Sequence, residues 1–129
     1  MKKYENFCKA LDNLRLVRDL KEPYDVLTLT GSAALFEICF EQAWKAMKEI
    51  LQEHGYSEGQ TGSPKQILKL AYSAGMIQDE EKWLAMLVSR NDVTHSYNEE
   101  IALALVRRVQ ADYIDLLDGL KTELESRWI

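Results

Sequence analysis

Few residues in this chain interrupt a helix or cross-link a fold. There are two prolines and six glycines in 129 residues, so long stretches run without a breaker. Two cysteines, Cys8 and Cys39, are too few for a disulfide framework and fit a reducing compartment. No apolar run approaches the roughly 20 residues that span a bilayer. The segment Met1-Lys2-Lys3-Tyr4-Glu5-Asn6 lacks the apolar stretch of a signal peptide, and a cytoplasmic location is the expectation. Positive charge is also short. The formal net charge of −5 argues against broad, non-specific nucleic-acid binding, which needs a basic face. It leaves room for a small local phosphate site. What remains is an ordinary soluble composition, 47% hydrophobic and 29% charged, of a length that fits one domain over residues 1–129.

The apolar residues recur at helical spacing. Tyr4, Phe7, Leu11, Leu14 and Val17 predict an amphipathic first helix ending before Pro23. Residues 22–30 read as a connection, with Thr28 and Thr30 as candidate caps. Phe36, Phe40, Ala43, Met47 and Ile50 form the stripe of a second helix, closed by His54-Gly55. Gly55 to Gly62 is a polar loop. Ser63-Pro64 restarts the chain as cap and first helical residue, with Ile67, Leu68, Ala71 and Tyr72 as the apolar face and Gly75 as the stop. Asp79 caps a further helix bearing Trp83, Leu84, Met86, Leu87 and Val88. Ser96-x-x-Glu99 matches a capping box and predicts a last helix from about Tyr97, with Ala102, Leu105, Val109, Tyr113, Leu116, Leu120 and Leu124 on one stripe. The expected fold is all-α: an antiparallel up-and-down four-helix bundle with an additional short helix.

One segment stands apart chemically. Ser89-Arg90-Asn91-Asp92-Val93-Thr94-His95-Ser96-Tyr97 places an Arg, a His and a Tyr within eight residues. Histidine moves protons near neutral pH, and arginine offers a planar, permanently charged clamp for phosphate. On one continuous helix Arg90 and His95 would point roughly 140° apart. The capping box suggests instead that Arg90 ends one helix while His95 lies in the turn before the next. Both would then face a common cleft, beside the positive end of the last helix. A neutral His95 could there take the proton from an RNA 2′-hydroxyl while Arg90 holds the phosphate. A single His cannot easily serve as base and acid in one step, so a second His from a symmetry-related subunit makes a homodimer attractive. This chemistry calls for no metal and no cofactor. The bland alternatives are a salt-bridged Arg90 facing Asp92 or Glu99, a structural His95 near a helix start, and a Tyr97 packed against Trp83 or the final helix.

Arg90-Asn91, His95 and Tyr97 resemble the signature of HEPN proteins, helical bundles with an Arg-x(4–6)-His motif and a polar residue after the Arg. The chain is most similar to their small nucleotidyltransferase substrate-binding proteins. Leu35-Phe36-Glu37 with Trp44-Lys45, Ser63-Pro64, Ala74-Gly75-Met76-Ile77 and Trp83-Leu84-x-Met86-Leu87 extend the likeness over most of the chain. The resemblance implies a dimerising bundle paired with a minimal nucleotidyltransferase. It implies a toxin–antitoxin pair in which the helical subunit is an RNase. Arg90 and His95 would be catalytic, Asn91 supporting, and Tyr97 the acceptor of AMP from the antitoxin. An alternative within the same family is a non-catalytic substrate-binding subunit. Asp92, Glu99 and Glu100 depart from an RNA-binding site by crowding it with negative charge.

Overall fold

The computed structural model describes residues 2–56 and 62–129. Apart from its ends, the expected Gly55–Gly62 loop lies outside the described residues. Five helices result, with no strand among the described residues: α1 (Lys2–Leu14), α2 (Val26–Glu53), α3 (Pro64–Ser73), α4 (Glu80–His95), and a last helix made of α5 (Glu99–Arg108) and α6 (Ile114–Glu123). A short 3₁₀ turn, Arg15–Asp19, follows α1. The architecture is the expected all-α bundle, with α3 as the short additional helix. None of these helices is long and apolar enough to cross a membrane.

At 28 residues, α2 is the axis of the molecule and packs against α1, α3, α4 and α5. Its inward stripe is Phe36, Phe40, Ala43, Met47 and Ile50, all fully buried. The Phe36 ring stacks on Tyr113 with centroids 5.6 Å apart, and Phe40 tilts against Trp83 at 6.5 Å. These rings join the central helix to both sides of the bundle, in the offset geometries that aromatic quadrupoles favour.

The caps decide where the chain turns. Ser63 and Gln66 form a reciprocal capping box at the start of α3, and Asp79 accepts from the Lys82 N–H at the start of α4. Gly75 adopts φ +81° after α3, a conformation that a side chain would strain. Two expected caps are displaced. Asp25, not Thr28 or Thr30, caps α2, its carboxylate accepting from the Thr28 N–H at 2.7 Å. Asn98, not Ser96, caps α5, accepting from Ile101 at 2.8 Å. Both winners are among the best acceptors for an N-terminal N–H. Ser96 instead ends α4, its N–H bonded to the Asp92 carbonyl.

The last helix does not stop at Gly119. It runs on through two π-helical turns, Val109–Tyr113 and Leu124–Trp128. A π-turn inserts a residue and rotates the face that follows. This is why Ile114 and Leu117 are fully buried while Leu116 is only partly so. The expected stripe holds as far as Tyr113 and is offset in the next turn. Tyr72 and Val88, read as core, are about half exposed.

Candidate functional site

Helix α4 extends through His95, so it carries both Arg90 and His95. The expected break between them is absent, because Asn98 rather than Ser96 starts the next helix. Five residues of regular helix separate the two by roughly 140° and about 7.5 Å of rise. They do not meet in a shared cleft of one protomer. The start of α5, where a phosphate site is expected, is acidic. Glu99 and Glu100 stand in that first turn, and their charge complements the positive end of the helix and opposes a phosphate there.

Arg90 turns toward α2. Its guanidinium sits 5.8 Å from the centroid of the Phe40 ring, a cation–π arrangement. One terminal nitrogen lies 3.7 Å from Glu41 Oε2. The expected partners Asp92 and Glu99 are not the ones it uses. The side chain is 19% exposed, and its Nε is buried without a hydrogen-bond partner. A buried N–H of a charged group left unpaired is costly, and the Phe40 ring face is the contact that offsets part of that cost. The groove it lines, of about 380 Å³, is walled by Glu37, Ile38, Glu41, Gln42 and Thr94. Thr94 donates to Glu37 Oε2 at 2.7 Å, closing one edge. The neighbouring Ser89 hydroxyl bonds Tyr113 at 2.7 Å in the core, which fixes the register of α4 under the site.

Glu41 is the most heavily engaged carboxylate here. Trp44 Nε1 donates to its Oε2 at 2.9 Å, and Lys45 lies 3.3 Å from its Oε1. Partial burial pushes its carboxyl up, but the bonds from Trp44 and Lys45 and the charges of Lys45 and Arg90 outweigh this and hold it below the ordinary range. A depressed folded-state pKa stabilises the fold above the unfolded value, and the gain is lost as pH falls through the folded value. The stability difference between wild type and Glu41→Gln is therefore expected to be greatest near neutral pH and to vanish in acid. Urea titrations across that range measure it. A difference that grows on acidification contradicts the assignment.

His95 is exposed at the end of α4, where a cation complements the helix dipole. Asn91 is exposed one residue beyond Arg90. Tyr97 reaches back to α2, its hydroxyl 2.9 Å from Thr30 Oγ1, and its side chain remains 43% exposed. The partner is Thr30, not Trp83. The buried stripe of α2 gives no hint of Glu41 and Gln42, and Glu37 enters only through the family likeness. Their signal was the i, i+4 spacing of Glu37, Glu41 and Lys45 on the flank of that stripe. No group of three His, Cys, Asp or Glu gathers into a metal-binding cluster among the described residues.

An up-and-down bundle with an arginine-lined groove between its second and fourth helices defines the class of protein. The chain belongs to the family described as nucleotidyltransferase substrate binding protein like, whose model matches residues 2–126. A curated relative from Haemophilus influenzae, named "Probable ribonuclease HepT", is 32% identical over 101 residues, 77% of this chain and 68% of that protein. A crystal structure from Thermus thermophilus is 33% identical, with a TM-score of 0.78 over 92% of this chain and 98% of that one. HI0074 of Haemophilus influenzae matches with a TM-score of 0.81, over 95% of this chain and 99% of its own, at 24% identity. That protein is described as having the fold of a substrate binding domain of a nucleotidyltransferase. At this identity the likeness is one of fold.

Proposed function

We propose that this chain is the helical subunit of a minimal nucleotidyltransferase pair and, as a homodimer, a metal-independent endoribonuclease acting as the toxin. The observation that carries the RNase part is Arg90: a permanently charged guanidinium lining an open groove, with its nearest carboxylate 3.7 Å away. The family and a relative named as a ribonuclease support the same reading. His95 takes the 2′-hydroxyl proton, the 2′-oxygen attacks phosphorus, and the bond from phosphorus to the 5′-oxygen breaks. The partner subunit's His95 returns a proton to that oxygen, leaving a 2′,3′-cyclic phosphate and a 5′-hydroxyl. Arg90 neutralises the charge that builds on phosphate, and Asn91 supports it as a neighbouring polar group.

The dimer has a physical motive. On α2, Leu27, Gly31, Ala34 and Ile38 are all exposed, at spacings of four, three and four. That is the seam of a helix pair. A methyl group added at Gly31 would meet nothing within 4 Å, leaving room for a second helix to approach. The seam begins beside Thr30 and Tyr97 and ends at Ile38 on the wall of the Arg90 groove. Pairing across it is the proposed route by which Arg90 of one protomer and the partner subunit's His95 come together.

Tyr97 is the proposed AMP acceptor. Its hydroxyl oxygen attacks the α-phosphorus of ATP held by the nucleotidyltransferase, pyrophosphate leaves, and the hydroxyl proton is released to solvent. The test is incubation with the cognate nucleotidyltransferase and ATP, followed by intact mass. Wild type gains one AMP. Tyr97→Phe gains none and still cleaves RNA. An AMP mass that persists in Tyr97→Phe places the modification elsewhere. Failure to form any complex with the nucleotidyltransferase contradicts the pairing itself. The second reading, a non-catalytic substrate-binding subunit, is favoured by Glu37 and Glu41, which line the groove and repel phosphate.

A further inference from the structure

Beyond Glu41, α2 borders a second groove, of about 290 Å³, lined by Lys3, Trp44, Lys45, Lys48, Glu49 and Gln52. Three lysines converge there on a chain whose net charge is −5, against the general trend of the surface. Lys45 is held by Glu41 at 3.3 Å. No salt bridge engages Lys3 or Lys48 among the described residues. Trp44 forms the aromatic wall. Its ring packs partly against the core, and its Nε1–H is tied to Glu41, so its orientation is set before any ligand arrives. Glu49, also on the wall, is the one carboxylate among these residues.

We propose that this groove binds a nucleotide of single-stranded RNA flanking the one held at Arg90. Its base stacks on Trp44, and its phosphates lie against Lys3 and Lys48. The proposal rests on the RNase reading for its neighbouring site. The two grooves share one carboxylate, because Glu41 contacts Arg90 on one side and Trp44 and Lys45 on the other. Glu41 to Lys48 spans about 10 Å of helix, so a strand leaving Arg90 can follow α2 directly into the second groove. An aromatic face beside free cations is the combination that single strands use. An acidic peptide would satisfy the lysines and leave the Trp44 face unused.

The test uses a 2′-O-methyl RNA oligonucleotide, which the proposed chemistry cannot cleave, and follows its binding across a salt series. Replacing two phosphate contacts in Lys3→Gln/Lys48→Gln is expected to reduce the log K against log salt slope by about 1.4. Trp44→Leu is expected to weaken binding about fivefold or more, with Trp44→Phe retaining most of it. Lys65→Gln/Lys69→Gln removes the same charge elsewhere and serves as the control. Thermal melts check that each variant folds. An unchanged slope, an equal change in the control, or wild-type protein that binds no oligonucleotide overturns the proposal. So does a variant that loses only its complex with the nucleotidyltransferase. Binding through these residues without RNA cleavage by wild type retains the subsite and removes the RNase reading. Cleavage with binding indifferent to Lys3, Lys48 and Trp44 does the reverse.

Discussion

His95→Ala is expected to lower RNA cleavage by between about a hundredfold and ten-thousandfold, the usual worth of a positioned general acid–base group. The upper end applies if both histidines of a dimer act in one site, since a single substitution then removes base and acid together. His95 is exposed at the end of α4 and makes no core contact, so the variant should fold as the wild type does. That separates a chemical effect from a structural one. The assay is fragment formation from total RNA in EDTA, with protein shown by intact mass to carry no AMP. Equal cleavage by His95→Ala would remove His95 from the mechanism. Cleavage by neither protein would favour the substrate-binding reading.

The largest expected effect on stability comes from the core. Phe36 is fully buried on α2 and touches both Phe40 and Tyr113. Phe36→Ala removes a ring and leaves a cavity, for an expected loss of about 3–5 kcal/mol. The corresponding drop in Tm is of the order of 10 °C. Tyr113 also holds Ser89, next to Arg90, through its hydroxyl, so loosening its stack is expected to blur the register of α4 as well. Guanidinium unfolding measures the loss. A change below about 1 kcal/mol would mean that the site collapses without a cavity, and that Phe36 is not the hinge of the core.

Much of the bundle was legible because it rests on local rules. Phe36, Phe40, Met47 and Ile50 announce a helix by period alone, and Ser63-Pro64, Gly75 and Asp79 each act through a neighbouring backbone group. The failures share a different cause. Ser96 and Asn98 are both good caps two residues apart, and sequence does not tell which backbone bends. Asn98 prevails, α4 gains a turn, and Arg90 and His95 fall on one helix. Leu116 was misplaced because the π-turn at Val109–Tyr113 leaves no signature in the apolar period. The identities at the candidate site were visible in Arg90, His95 and Tyr97. Their surroundings were not. Glu41, Phe40 and Thr30 come from α2, far along the chain, and only tertiary packing brings them near.

The same geometry turns the dimer from an attractive option into a requirement of the proposed mechanism. The most direct measurement is therefore RNA cleavage by subunit-exchanged mixtures of wild type and His95→Ala. If each active dimer needs both histidines, an equal mixture keeps about a quarter of the wild-type rate, because only dimers of two wild-type chains act. A rate near half, falling linearly with the wild-type fraction, would mean that each protomer cleaves alone and would contradict the account.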